Sequence, residues 1–237
     1  MTSRNGRLKG RIALITGASR GLGASIAQRF AKEGAHLILV ARTVGGLEEV
    51  DDAVKAIGGE ATLVPLDLRQ FEAIDELGAR LYELFGRLDI LVGNAAALGV
   101  LSPVGHIEPE TWDKTFAINV TSNFRLIRSF DPLLRRSDAG RAIFVTSAAT
   151  ENLFPFWGLY STTKAALDAI VLTYAREIAN TTVRANLIDP GIIRTGMRAA
   201  AMPGEDPSTL RRPDEVTETF VDLAVASSTR NGEIIKA

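Results

Sequence analysis

An apolar run, Ile12-Ala-Leu-Ile-Thr16, passes directly into a turn with glycines at 17, 21 and 23, and that turn into a stripe of Leu22, Ile26 and Phe30. The run reads as a buried strand, and the four-residue recurrence behind it as the apolar face of a helix. Strand, glycine turn and helix in immediate succession leave few folds open. The helix has to fold back over a sheet, and its first N–H groups are left aimed at whatever lies beyond the strand end.

The same alternation continues down the chain. Further strands are expected over residues 36–41, 61–66, 89–93, 141–146, 183–188 and 233–235, and helices over 22–32, 45–57, 73–85, 111–136, 159–179 and 213–227. Pro132 is expected to kink or split the helix at 111–136. Trp112, Phe116 and Phe124 on that helix are expected in the core or at a helix–helix contact. Strands alternating with helices predict an α/β fold, a Rossmann-like doubly wound parallel sheet of about seven strands with helices on both faces. There is no repeat, low-complexity tract or long linker, so residues 1–237 read as a single domain.

Composition narrows the function. A net charge of −1 gives no broad basic field for nucleic acid or an anionic membrane. With no cysteine, disulfides, thiolate metal sites and cysteine nucleophiles fall away together. His36 and His106 alone make a multi-histidine metal centre implausible, so no metal is expected. The start, Met1 to Gly10, lacks the apolar core of a secretory signal, and no apolar run approaches a membrane span. A cytoplasmic protein is the expectation.

The turn Thr16-Gly-Ala-Ser-Arg-Gly-Leu-Gly23 has the spacing G-x-x-x-G-x-G between strand and helix, where backbone N–H groups can approach a pyrophosphate. Gly17, Ser19, Arg20, Gly21, Leu22 and Gly23 are therefore candidate cofactor contacts, although an ordinary glycine-rich turn would look the same. Where an NAD site carries an acid for the ribose 2′-OH, this chain has Val40-Ala41-Arg42-Thr43. Arg42, with Arg20 opposite, suits a 2′-phosphate, so NADP(H) is expected over NAD(H).

Tyr160-Ser-Thr-Thr-Lys164 places a phenol and an ammonium four residues apart on one helical face. A phenol of pKa ~10 is a poor acid–base group near neutrality. A neighbouring cation favours the phenolate, and Lys164 is given that role. Ser147 ends the fifth strand, where its hydroxyl would face a cofactor at the carboxyl edge of the sheet.

With these pieces in order, the chain resembles the short-chain dehydrogenase/reductase family from its first strand almost to its end. The resemblance rests on Thr16 to Gly23, Asp67-Leu68, Asn94-Ala95, Asn119-Val120, Ser147, Tyr160-x-x-x-Lys164, and Pro190-Gly191 followed by Thr195. It implies that Tyr160 is the general acid in carbonyl reduction. Lys164 would lower its pKa and bind the nicotinamide ribose, Ser147 would orient the substrate oxygen, and Asn119 would hold a relay water. It further implies Asp67 and Leu68 beside the adenine, Asn94 by the adenosine ribose, and Pro190, Gly191, Ile192 and Thr195 along the nicotinamide. A homodimer or homotetramer built on the helices at 111–136 and 159–179 is implied by the family alone.

Two departures bear on geometry. The family's Asn-Asn-Ala-Gly stands here as Gly93-Asn-Ala-Ala96, losing a hydrogen-bonding side chain, and the end at Ala237 makes the tetramer less secure. The stretch Arg194 to Pro207 is similar to that of YciK-like bacterial reductases.

The expected partner is a small carbonyl or alcohol. Ala95 to Leu98, Phe154-Pro-Phe-Trp157, Met197 and Met202 would favour a hydrophobic one, 3-oxoacyl thioesters included, or would simply pack under a loop or subunit contact. Two other classes remain. Gly17-Ala-Ser-Arg-Gly21 matches the G-x-S-x-G elbow of serine hydrolases, but Ser19 follows the first strand and no histidine comes after His106. An NADPH-binding sensor or scaffold would keep the glycine turn without turnover, yet Tyr160 and Lys164 are both present.

Overall fold

The computed structural model describes residues 6–237; Met1 to Asn5, part of the start considered above for an export signal, lie outside the described residues. Strand β1 (Ile12–Thr16) leads into α1 (Gly21–Lys32), β2 (His36–Ala41) into α2 (Val44–Ala56) and β3 (Glu60–Pro65) into α3 (Phe71–Phe85). After β4 (Ile90–Gly93) come α4 (Pro109–Phe116), a π-helical turn over Ala117–Thr121, and α5 (Ser122–Leu134). β5 (Arg141–Val145) precedes α6 (Ala149–Asn152) and α7 (Gly158–Glu177), and β6 (Arg184–Asp189) precedes α8 (Gly196–Ala201), α9 (Thr217–Ala224) and β7 (Ile234–Lys236).

All seven strands lie in one sheet, ordered β3-β2-β1-β4-β5-β6-β7, and every neighbouring pair is parallel. Alternate residues of β1 enter opposite cores, as the two-residue period of a strand requires. Ala13 and Ile15 join Leu22, Ile26 and Phe30 of α1, Leu47 of α2 and Phe220 of α9. Leu14 joins Leu77 of α3, Phe130 of α5 and Leu167 of α7. Helices thus cover both faces, which is why the central strands are apolar throughout. The order reverses between β1 and β4, so the segments leaving their carboxyl ends part and open a crevice.

At the other edge, Asp89 is buried, accepts from Ile12 N at 2.9 Å and pairs with Arg87 at 3.1 Å. It fixes β4 beside β1 and lies just before the strand, which begins at Ile90 and not at 89.

The long helix expected at 111–136 is interrupted, but by the π turn at Ala117–Thr121 and not at Pro132. Helix α5 runs through Pro132 to Leu134, because the carbonyl deprived of a partner belongs to exposed Arg128 and can face water. Trp112 and Phe116 stack on each other at 4.8 Å while Phe124 is exposed, so none of the three enters the core. The last expected helix is shorter than 213–227, being a 3-10 turn over Pro213–Val216 followed by α9.

Gly93 explains part of the altered segment. A Cβ there would lie 2.2 Å from Phe144 Cδ1 and 2.7 Å from Asn123 Oδ1. Phe144 of β5 fills the space that a side chain at 93 would take, and buried Asn123 Oδ1 has no hydrogen-bond partner.

Candidate active site

The glycine turn is shaped from beneath by Asn94. Its side-chain amide donates to Thr16 O at 2.9 Å and to Gly17 O at 3.3 Å, while its backbone N–H donates to Thr16 Oγ1 at 3.0 Å. A Cβ on Gly23 would stand 2.2 Å from Gly17 O and 2.6 Å from Asn94 Nδ2, so glycine is demanded there by the turn's own closure. The Asn94 amide nitrogen therefore faces the loop backbone. Leu22 is likewise buried, leaving its backbone N–H on the first turn of α1 as its contribution.

Two helix starts converge here. Neither α1, behind Arg20, nor α2, behind Thr43, has a side-chain cap or an acid in its first turn, so their first N–H groups are free for an anion. A Cβ on Gly46 would touch Ser19 at 3.0 Å, which puts the start of α2 against the loop. Arg20 and Arg42 are exposed and make no side-chain hydrogen bond among the described residues. Two uncapped helix starts with two uncommitted guanidiniums fit a ligand carrying phosphates at both places.

Asp67 is taken by Arg69, which donates to both carboxylate oxygens. That bond, with Arg42 nearby, holds the Asp67 carboxyl below its ordinary range. Leu68 is buried beside it. Beyond β6, Gly191 N donates to Asp189 Oδ1, exposed Ile192 follows, and Thr195 caps α8 through Arg198 N. The Thr195 methyl would lie 3.7 Å from a Cβ on Gly21, so the expected nicotinamide-side segment does meet the glycine loop.

At the carboxyl end of β5 the structure gathers Ser147, Tyr160 and Lys164. Tyr160 is 7% exposed and Lys164 2%. Burial pushes the Tyr160 phenol up to about 12, the Ser147 hydroxyl pulls it back, and Asp189 adds to the rise. Lys164 lies against the ring of this phenol. Its ammonium donates to Val145 O at 2.7 Å and lies 5.7 Å from the Tyr160 ring centroid. Burial brings Lys164 itself down to about 8, with Asp168 opposing.

Asn119 lies in the π turn and is fully buried. Its side chain accepts from Ala97 N at 2.8 Å and donates to Ala97 O at 2.8 Å and Thr163 Oγ1 at 2.9 Å. Thr163 in turn donates to Tyr160 O at 2.8 Å, so a chain of bonds ties the segment after β4 to the start of α7. The Asn119 side chain is committed to this role. Its carbonyl accepts from Asn123 Nδ2 at 2.8 Å.

Thr16, Thr163 and the π turn were not foreseen. Polar Asn119, Ser122 and Asn123 interrupting a helix signalled the last, since π turns gather at functional sites.

The segments that follow β4, β5 and β6 carry exposed apolar side chains. Val100, Val104, Leu153, Phe154, Phe156, Ile192 and Met202 are all exposed, while Met197 is half-buried. Leu153 (φ 45°) and Phe156 (φ 73°) sit in the left-handed region that non-glycine residues avoid. The loop is held by Ser102 N donating to Phe156 O at 3.0 Å and by Trp157 packing edge-on to Tyr160 at 5.9 Å. Strain of this kind concentrates where a surface is built for a ligand.

The hydrolase reading fails on geometry. His36 starts β2 at the opposite edge of the sheet from Ser19, paired with Thr62 and Glu60, and His106 sits exposed in the turn Val104–His106. No group of three metal-ligating side chains occurs among the described residues. No helix among them is long and apolar enough to cross a membrane.

A doubly wound sheet with a half-buried serine beside a buried tyrosine and lysine, opposite a glycine turn, defines a class of oxidoreductase. The chain belongs to the short chain dehydrogenase family, which it matches over residues 11–206. Within that family it is YciK-like: it is 34% identical over 226 residues to the oxidoreductase YciK of Escherichia coli K12, covering 94% of this chain and 89% of that one. A short chain dehydrogenase structure from Pseudomonas syringae superposes with a TM-score of 0.94 at 36% identity, covering 97% of this chain and 95% of the other. Another, from Shigella flexneri 2a and complexed with NADP, gives 0.93 at 33% identity over 97% of both.

Proposed function

We propose that the protein is an NADP(H)-dependent oxidoreductase acting on a carbonyl or its secondary alcohol, with a hydrophobic ketone, 3-oxoacyl compounds included, as substrate. The carrying observation is the Ser147–Tyr160–Lys164 cluster, its tyrosine and lysine buried, at the crevice lined by the glycine turn. Uncapped α1 and α2 with Arg20 and Arg42 favour the 2′-phosphorylated cofactor, and the NADP complex of the Shigella relative agrees. The apolar rim favours an apolar substrate body.

When bound, the nicotinamide supplies or accepts the hydride. Tyr160 gives its phenolic proton to the carbonyl oxygen, and a phenol held at about 12 rests as an acid ready to donate. Ser147 hydrogen-bonds that oxygen and fixes its direction. Lys164 lends positive charge as phenolate forms and holds the nicotinamide ribose, while a water on Asn119 O returns the proton from solvent. The reading takes residues 1–237 as one domain, working in the cytoplasm as a homodimer or homotetramer without nucleic acid or membrane.

The test is thermal stabilisation by NADPH and NADH, followed by NADPH oxidation against a panel of ketones. At 100 times Kd a ligand adds about 2.7 kcal/mol, or roughly 5–11 °C for a chain of this size. NADPH stabilisation with ketone-dependent oxidation supports the reading. Stabilisation without turnover on any carbonyl would make the protein a nucleotide sensor, and no response to either cofactor would end the proposal.

A further inference from the structure

The Lys164 ammonium is the one buried lysine charge among the described residues; Lys9, Lys32, Lys55, Lys114 and Lys236 are exposed. It makes one hydrogen bond, to Val145 O, and no ion pair within contact distance. A cation removed from water this completely tends to lose its proton unless an opposite charge lies near.

One does. Asp168 stands four residues further along α7, on the same inward face, and is 8% exposed. Its Oδ1 is buried without a hydrogen-bond partner, and so is Oγ1 of Thr146 at the end of β5. That oxygen is left to act on a neighbouring charge, and the Thr146 and Thr150 hydroxyls lie beside the carboxylate. Charged groups facing it are Lys164 from its own helix and Asp189 from β6. Burial raises the Asp168 carboxyl, Thr146, Lys164 and Thr150 draw it back, and Asp189 pushes it further up. Of the two acids, Asp189 is already engaged by Gly191 N, which leaves Asp168 as the counter-charge to the lysine.

We propose that Asp168 is a positioning residue for Lys164, its carboxylate keeping the buried ammonium charged and turned toward the end of β5. This adds a residue to the site proposed above, and it rests on that reading only where turnover is concerned. Deleting the charge without changing the shape should let Lys164 deprotonate at lower pH, whereas a merely structural Asp168 would affect thermal stability and leave the lysine's titration where it was.

The experiment is a titration of the full chain carrying lysine labelled with carbon-13 at Cε, comparing the unaltered protein with Asp168→Asn and Asp168→Glu. Lys164 titrates near pH 8, apart from the exposed lysines, and needs no cofactor to be seen. Its midpoint is expected to fall by about one pH unit in Asp168→Asn and to return in Asp168→Glu. An unchanged midpoint in Asp168→Asn overturns the proposal. If that variant does not fold, Asp168→Ser makes the same comparison. The pH profile of NADPH-dependent turnover then separates the two claims. An alkaline limb that moves with the midpoint supports both. A limb that stays while the midpoint moves removes Lys164 from turnover and leaves Asp168's hold on it standing.

Discussion

Lys164 Nζ donates to Val145 O at 2.7 Å, and this bond holds the ammonium over the Tyr160 ring, 5.7 Å from its centroid. Without cofactor the pair is poised with both groups shifted toward their uncharged forms, the phenol at about 12 and the lysine at about 8. Both shifts come first from burial. The charged lysine is present below pH 8 and is lost as pH rises through its folded value. Activity that needs the ammonium is therefore expected to be flat below about pH 8 and to fall about tenfold per unit above it. The measurement is kcat/KM for NADPH from pH 6 to 10. A profile flat to pH 10 would mean that neither binding nor turnover uses the charge.

Replacing Tyr160 by Phe removes the proton donor and leaves Trp157 its edge-on partner ring. Turnover is expected to drop by at least about 10³-fold, within the range that a positioned acid contributes. NADPH affinity, read by thermal shift, is expected to change little. Substantial remaining turnover would reassign the proton to another group, Ser147 first.

Arg42 is exposed beyond the end of β2 and makes no hydrogen bond from its side chain. Arg42→Ala is expected to weaken NADPH by about 10–100-fold, the equivalent of one or two charge-assisted bonds, and to leave NADH within about twofold. Binding titrations with both cofactors decide it. Equal losses would mean that the guanidinium serves the fold or the shared part of the dinucleotide.

Much of this arrangement was legible beforehand because it rests on local rules. Ile12 to Thr16 is apolar because β1 is covered on both faces, and the glycines follow directly because the chain must turn at that strand's end. Tyr160 and Lys164 share a face by helical spacing alone. What was hidden depends on contacts far apart in sequence. The Asn94 amide's bond to Gly17 O joins residues 77 apart. The bond that holds the Lys164 ammonium is of the same kind, since its acceptor is a backbone atom, Val145 O, on another element. Pro132 is tolerated because it falls in the last turn of α5, and the burial of Asp168 follows from the packing of α7 on β6.

Gly93 and Phe144 form a size-matched pair, with a Cβ on the former falling 2.2 Å from the latter's ring. Gly93→Ala is expected to cost about 1–3 kcal/mol by overpacking, or roughly 2–12 °C in Tm. Combining it with Phe144→Leu should cost clearly less than the sum of the two single changes. Strict additivity would show that the ring does not occupy the space a side chain at 93 needs.

Phe156 separates the fold's needs from those of the substrate rim. Its φ of 73° is strained for any residue with a Cβ, and the ring is 57% exposed, so little burial repays the strain. The backbone bond from Ser102 N to Phe156 O does not depend on the side chain. Phe156→Gly should therefore hold or raise stability, by up to about 1 kcal/mol once glycine's own entropy is set against relief of the left-handed conformation. If the ring is kept for an apolar substrate, the same variant should show a several-fold higher KM for long or aromatic ketones and an unchanged KM for small ones. Thermal melts with a ketone series measure both. A less stable variant with unaltered selectivity would make Phe156 a strut of the loop, and the case for a hydrophobic substrate would then rest on the remaining rim residues.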